Sequence, residues 1–297
     1  MKAMFRNYDS TPFFTEDYVK VREFLMRINA NKLTEFRMPW GAWEWAVTHG
    51  GRDQNSLGKI GLWELDGEVV AIATYECLLG EGFLIVDEAH AYLKPEMVAY
   101  AKENLCDKDG KLKISIKEND YELAKAAKTQ EFRPTQKMDR NAVLDIGHLQ
   151  SYTLPEGYKF VSMADGWDWQ QYNHVMRRGF AGDENPMWND KIEAERKQML
   201  SSPMIIPELV LAVQAPDGKY ASHCGMWYKQ NEFYCYVEPV VTDPTYQKKG
   251  LGKAVVLEAI RRCGELGAKQ ALVGSSQQFY YNIGFYPVRT AVVWELI

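Results

Sequence analysis

Val237-Glu-Pro-Val-Val-Thr-Asp-Pro-Thr-Tyr-Gln-Lys-Lys-Gly-Leu-Gly-Lys-Ala254 is the stretch on which the reading of this chain turns. It begins as an apolar β-type run, breaks at Asp243-Pro244, and passes through Gln247-x-x-Gly250-x-Gly252 into a helical pattern. A strand, a glycine loop and a helix N-terminus in that order make an anion cradle. Loop N–H groups converge on one spot and the positive end of the helix dipole reinforces them. A diphosphate is the natural occupant. Neither of the two common phosphate loops fits, because the dinucleotide fingerprint and the Gly-Lys-Ser/Thr loop are both missing. The alternative is a helix that simply follows a Gly-containing turn.

Composition bounds the class without naming a reaction. At 297 residues, 46% apolar and 25% charged, the chain has the make-up of a soluble globular protein with one large or two ordinary domains. A net charge of −5 disfavours broad binding to nucleic acid or anionic membrane. The N-terminus, Met-Lys-Ala-Met-Phe-Arg-Asn-Tyr-Asp9, is too polar for a signal peptide. No apolar run approaches the ~20 residues that span a bilayer. The cysteines (Cys77, Cys106, Cys224, Cys235, Cys263) form no Cys-x-x-Cys pair, and the histidines have no ligand spacing. We therefore expect a reduced, cytoplasmic, metal-free protein.

Two halves of the chain share an order of elements. In the second, Leu209–Val213 and Tyr220–Tyr228 flank the turn Ala215-Pro-Asp-Gly218, and Phe233–Thr242 follows as a third strand. Leu251–Gly267 is then a helix, with Glu258, Arg261, Arg262 and Glu265 on a polar face and Val256, Ala259, Ile260 and Cys263 on the other. Gln270–Gly274 is a strand, Gln277–Ile283 a short helix and Ala291–Leu296 a closing strand. The first half repeats this as Ile60–Leu65, Asp66-Gly67, Glu68–Tyr75, Phe83–Ala89, helix Lys94–Leu105, strand Leu112–Lys117 and helix Tyr121–Thr129. Phe132-Arg133-Pro134 answers Phe285-Tyr286-Pro287. The pattern reads as a duplicated domain, with the junction near Gly147–Gly157, where Leu154-Pro-Glu-Gly-Tyr158 looks like a fresh domain start. In the first copy, His90-Ala-Tyr-Leu-Lys-Pro95 replaces the glycine loop, and residues with a Cβ cannot supply the close backbone approach of a phosphate nest.

Gln247, Gly250 and Gly252 occupy the defining positions of a known loop. It is the pyrophosphate loop of the GNAT superfamily of acyl-CoA-dependent N-acyltransferases, Gln/Arg-x-x-Gly-x-Gly/Ala after a central strand. Phe279-Tyr280-Tyr281-Asn282-Ile283-Gly284-Phe285 resembles the family's short helix Phe-Tyr-x-x-x-Gly-Phe. The resemblance implies an α/β (α+β) fold of two tandem GNAT-like domains, each a mixed, mostly antiparallel sheet flanked by helices. Residues 1–147 would be a degenerate copy without the CoA loop, and 148–297 the catalytic domain. A pair of this kind resembles the mycothiol synthase type.

The resemblance also implies roles. Backbone groups near Lys248, Lys249, Gly250, Leu251, Gly252 and Lys253 would hold the CoA diphosphate, with Gln247 at the head of the loop. Val240, Val241 and Thr242, on a strand that the family bulges and splays, would bond the pantetheine arm and polarise the thioester carbonyl. Pro239 suits a bulge because it cannot donate in a central ladder. Tyr280 would be the general acid for the leaving thiolate, the alternative being a core tyrosine, which describes Tyr281 equally well. The asparagine frequent upstream of that tyrosine is replaced by Gly274-Ser-Ser-Gln-Gln278, so a side-chain bond to the CoA arm would fall to Ser275 or Ser276; we take Ser276. Glu238 is the candidate general base, ahead of His223 and the Ile297 carboxylate.

The expected donor is acetyl-CoA, as a substrate, and the expected acceptor a primary amine of a small molecule or peptide. Neither nucleic acid nor membrane is an expected partner, and a homodimer stays open. Asp183, Glu184 and Asp190 with Trp188 could receive a cationic amine, or they belong to a solvated loop. Trp40, Trp43 and Trp45, within the run Arg37–Trp45, read as core or domain-interface packing rather than a ligand cage. Two rival readings stand beside the enzyme: a non-catalytic CoA sensor or scaffold, and an enzyme using another nucleotide.

Overall fold

The computed structural model describes residues 2–30 and 38–297, apart from the side chain of Arg289. Arg37, at the head of the aromatic run, therefore lies outside the described residues. Contacts divide the chain into two compact units, Met1–Asn141 with Val288–Ile297, and Ala142–Pro287.

In the first unit the order is β1 (Met4–Asn7), α1 (Glu16–Asn29), α2 (Trp40–Thr48), β2 (Gly61–Leu65), β3 (Glu68–Tyr75), β4 (Glu81–Val86), α3 (Lys94–Asn104), β5 (Lys113–Lys117), α4 (Tyr121–Thr129) and β6 (Phe132–Asp145). The second unit carries β7 (Lys159–Ser162), α5 (Trp169–Ala181), α6 (Asp190–Met199), β8 (Leu211–Gln214), β9 (Tyr220–Trp227), β10 (Tyr234–Thr242), α7 (Leu251–Glu265), β11 (Gln270–Val273) and α8 (Gln278–Asn282). The last strand is β12 (Tyr286–Leu296). The expected element types are found, with ends that differ by a few residues. Each unit also carries a helix pair between its first two strands.

The units differ from the expected division in two respects. The closing strand, assigned by order to 148–297, belongs to the first unit, where Ala291↔Lys117 through Glu295↔Lys113 pair β12 antiparallel with β5. Val292 and Val293 mark a strand in the sequence, but no feature of a strand's own residues names its neighbour. The boundary falls at Ala142, inside β6, whose final residues Ala142–Asp145 pair with β11.

Each unit is a mixed sheet, mostly antiparallel among the described pairings, with a parallel contact of β4 with β5 in the first and of β10 with β11 in the second. In the second unit α7 packs against the sheet through Val255, Val256, Ala259 and Ile260, all fully buried, facing Cys224, Met226 and Val237. Burying each such aliphatic contributes roughly 1.5–3 kcal/mol. The next position along β9 points the other way. There His223 meets Tyr172 of α5 at a ring separation of 5.0 Å.

The polar face of α7 departs from expectation. Glu258 is buried and accepts hydrogen bonds from Arg261, Arg262 and the Tyr152 hydroxyl (2.6 Å). Burial alone would raise this carboxyl; the bonds from Arg261, Tyr152 and Arg262 outweigh it and hold it at about 2.

Candidate active site

The site begins with an irregularity in β10. Its pairing with β9 runs Tyr236↔Trp227 and Val237↔Met226, then resumes at Val240↔Cys224, so Glu238-Pro239 bulges out by one extra residue. Gly225 makes room for it: a Cβ there would stand 2.6 Å from the Glu238 carbonyl oxygen and 2.9 Å from Pro239 Cδ. The indole N–H of Trp227 donates to that same carbonyl at 3.1 Å. Beyond the bulge, the buried Ser222 hydroxyl donates to the Val241 carbonyl at 2.9 Å and Asp243 N–H to the Ala221 carbonyl at 3.0 Å. The β9-facing edge of β10 is thus occupied. On the other edge the parallel ladder with β11 covers only Tyr234–Tyr236. Past Tyr236 the two strands share no ladder, and residues 237–242 offer an unpaired backbone edge.

The loop after β10 closes one end of this opening. Asp243 is buried, receives Arg178 Nε at 2.8 Å and Thr245 N–H at 2.8 Å, and lies 3.5 Å from His174 Nε2. Burial would raise its carboxyl, but Arg178 and the Thr245 N–H hold it below the usual range. Lys248 and Gly250 both adopt positive φ (62° and 78°), the left-handed turns from which a backbone nest is made. Gly250 is the N-cap of α7 and supplies no side-chain bond to the first turn, so that turn presents bare N–H groups. Gly252 is glycine for another reason. A Cβ there would come within 3.0 Å of Thr242 Oγ1 and 3.5 Å of the Phe279 ring.

α8 supplies the far wall. Gly284 (φ 110°) ends it, and the Phe285 N–H returns to the Tyr280 carbonyl at 3.0 Å. Phe285 then packs edge-on against Tyr280 at 5.5 Å. β10, the loop, the start of α7 and α8 together enclose a cleft of about 520 Å³. Val240, Val241, Thr242, Gln247, Lys248, Gly250, Leu251, Gly252, Lys253 and Tyr280 all line it. Tyr281 does not. Burial, then the charges of Cys224 and Glu238, push the Tyr280 phenol above its ordinary range, so it keeps its proton at neutral pH.

With this geometry in place, the comparisons are specific. Residues 148–286 match the model of the acetyltransferase (GNAT) family. This segment is similar to a GNAT-family domain. Across the chain, the fold is similar to a tandem GNAT protein from the clavulanic acid biosynthesis pathway, with a TM-score of 0.63 at 12% identity over 99% of this chain and 98% of that one. It is similar also to a GCN5-related N-acetyltransferase from Sphaerobacter thermophilus (TM-score 0.58, 14% identity, 99% and 95% covered). N-myristoyltransferase from Saccharomyces cerevisiae gives 0.58 at 12% identity, with 99% and 80% covered. At such identities the likeness is one of fold. No curated protein matches the sequence.

Three of the residues expected in the GNAT-like domain's site stand apart from the cleft lining. Lys249 lies over the Tyr246 ring at 5.2 Å and donates to the Tyr158 hydroxyl at 3.3 Å, so its charge rests on aromatic faces. Ser276 is exposed on the loop before α8. Glu238, half-buried at the bulge, accepts the Tyr236 hydroxyl at 2.6 Å. Lys253 lines the cleft while donating to Gln150 Oε1 at 2.9 Å. Of the other base candidates, His223 is fully buried, with its pKa pressed down to about 4 by burial and its Nδ1 against the Leu211 carbonyl. Ile297 belongs to the first unit. In the acidic loop, Asp183 is paired with Arg177 at 3.0 Å.

Sequence reasoning passed over Tyr246, Phe279 and Ile283, which also line the cleft. The i, i+4 spacing of Phe279 and Ile283 puts them on one helix face and could have drawn attention. Tyr236, two residues before Glu238 on the same face of a strand, was equally readable.

The corresponding place in the first unit is instructive. There β4 and β5 pair only at Glu81↔Lys113 and Gly82↔Ile114, and a cleft of about 370 Å³ opens beyond, lined by α3 and α4 as well. The opening is kept but its contents are not. The buried Lys94, at the first turn of α3, meets Asp120 at 2.8 Å and Glu122 at 3.4 Å, and Pro95 follows. A second diphosphate would have to displace carboxylates from around that lysine.

Proposed function

We propose that this chain is an acyl-CoA-dependent N-acyltransferase that transfers acetyl from acetyl-CoA to a primary amine by direct attack, with its donor site in the GNAT domain. One observation carries the reading: the unpaired edge of β10, the bare first turn of α7 and the side chain of Tyr280 border a single cleft. A diphosphate would lie on the N–H groups of Gly250–Lys253, where a Cβ on Gly252 would crowd the wall. The pantetheine arm would follow the free edge of Val240–Thr242, adding a short strand to the sheet. An N–H of that edge would polarise the thioester carbonyl.

In the chemical step the amine lone pair attacks the thioester carbon, the tetrahedral adduct collapses, and the C–S bond breaks. Tyr280 passes its proton to the departing sulfur. Because its phenol is held above the ordinary range, this transfer accompanies C–S cleavage rather than preceding it. Glu238 takes the proton lost by the amine, and its bond from Tyr236 keeps the carboxylate oriented. The acetyl group follows the family's name; the first unit, without the nest, would be the non-catalytic copy.

The test is a calorimetric titration with acetyl-CoA, followed by an amine panel of polyamines, aminoglycosides, amino acids and peptides with detection of released thiol. Saturable binding and thiol release with at least one amine are expected. Binding without release across the panel would leave a CoA-binding protein in place of an enzyme, and displacement of acetyl-CoA by ATP or NAD would reassign the cleft.

A further inference from the structure

The first unit holds a buried cation that forms no ion pair among the described residues. Arg52 is 5% exposed, and among the described residues its Nε, Nη1 and Nη2 have no hydrogen-bond partner. Its guanidinium lies over the Trp43 ring at 4.8 Å and the Tyr75 ring at 5.2 Å, both rings fully buried. No carboxylate of the described residues is within ion-pair distance of it; its electrostatic neighbours are the Tyr75 and Tyr8 phenols, Cys77 and, farther off, the half-buried carboxyl of Glu76.

The backbone is arranged to keep it there. Arg52 N–H donates to the His49 carbonyl at 3.1 Å, Asp53 N–H to the Cys77 carbonyl at 2.7 Å, and the Tyr75 hydroxyl to the Asp53 carbonyl at 2.5 Å. The residue is pinned on both sides, so its burial is not the fold of an unconstrained side chain.

Stacking on rings engages the faces of a guanidinium and leaves its in-plane N–H donors unsatisfied. A lysine so placed could shed its proton; an arginine cannot. Leaving a buried charge unpaired costs several kcal/mol, and an apolar side chain of similar volume would pack the same space without that penalty. A retained charge whose in-plane donors no described residue satisfies therefore calls for a further counterpart.

We propose that Arg52, with Trp43 and Tyr75 as its walls, is a binding site for the carboxylate of a small-molecule ligand in the first unit. A carboxylate matches the planar fork through two parallel hydrogen bonds. It also neutralises one positive charge with one negative charge, whereas a phosphate dianion would bury a net charge in the same apolar surroundings. This site is separate from the donor cleft and does not rest on the acyltransferase reading.

Tryptophan fluorescence and thermal melting of the full chain, titrated with acetate, benzoate and sulfate against chloride at constant ionic strength, test it. Carboxylates are expected to give a saturable fluorescence change and a rise in Tm, with sulfate weaker. Arg52→Lys keeps the charge but loses the fork and should weaken the tightest carboxylate by roughly tenfold to a hundredfold. Arg52→Met should abolish the response and, without carboxylate, melt no lower than the parent. If Arg52→Met does not fold, the parent and Arg52→Lys titrations still decide. Equal responses to all four anions, an affinity unchanged in Arg52→Lys, or no saturable response in the parent would each overturn the proposal.

Discussion

Tyr280 shows how a single side chain is prepared by its surroundings. It is buried, turned by Phe285 and lines the cleft, while its neighbour Tyr281 is directed elsewhere. Replacing it with phenylalanine removes one oxygen from a packed site. We expect turnover to fall by about 10²–10⁴-fold, the usual worth of a positioned acid, with acetyl-CoA affinity held within roughly threefold. Loss confined to affinity would make it a packing residue. The pH dependence follows from sign. An acid works while protonated, and burial raises this phenol above the ordinary value of 10.0. The group should cause no loss of kcat between neutrality and about pH 10, and a limb that vanishes in Tyr280→Phe at lower pH would contradict this.

Glu258 is a second case at this scale, and its effect is on stability. Its folded pKa of about 2 lies below the ordinary value of 4.5, so it stabilises the fold above pH 4.5. That contribution is lost as pH falls from 4.5 toward 2. Glu258→Gln should cost about 1–3 kcal/mol at pH 7, with the difference from the parent shrinking in acid. Urea melts at several pH values measure it, and a pH-independent difference would assign the loss to packing.

Among the elements, the decisive one is β10. Its bulge depends on a glycine that the sequence does not advertise, since Gly225 sits in a strand where glycine is ordinarily a weakness. A methyl group there would press on the Glu238 carbonyl and Pro239. Gly225→Ala should flatten or displace the bulge, lowering stability by about 1–3 kcal/mol and weakening acetyl-CoA binding more than Tyr280→Phe does. Calorimetry on both variants tests the ordering. Gly179 has a like role on α5, where a Cβ would fall 2.0 Å from Val241 Cγ2. Both glycines are conditions for the site without being part of it.

For the whole molecule, the question is what the C-terminal strand completes. Ala291–Glu295 of β12 pair with β5, so the last residues of the chain serve the first unit. Truncation after Pro287 should expose that edge. Hydrogen exchange is expected to show protection lost first in β5 and residues 132–141 of β6, with β9, β10 and α7 retaining theirs. Protection lost first in β9 and β10 would mean that the units are not the cooperative ones. The uneven pair of clefts is a fact of the same scale. Both units part their parallel strands, yet only the second has glycines at the start of its helix, where the first has Lys94 and Pro95.

Local chemistry determined a good deal without any coordinates. Gln247-x-x-Gly250-x-Gly252 specified a loop of bare N–H groups, because glycine conformation and the order strand, loop, helix are properties of neighbouring residues. The repeat of hairpins and helices was legible because periodicity and turn residues are local too. What only the tertiary structure decided involves residues far apart in the chain. β12 joining β5, Gly225 admitting the bulge, Tyr152 reaching Glu258 and Arg52 lying unpaired between Trp43 and Tyr75 are all matters of approach through space. A strand carries its own pattern of alternation but not the address of its partner. A side chain's charge is written in the sequence, whereas the presence or absence of a counter-charge is a distance that only the folded chain sets.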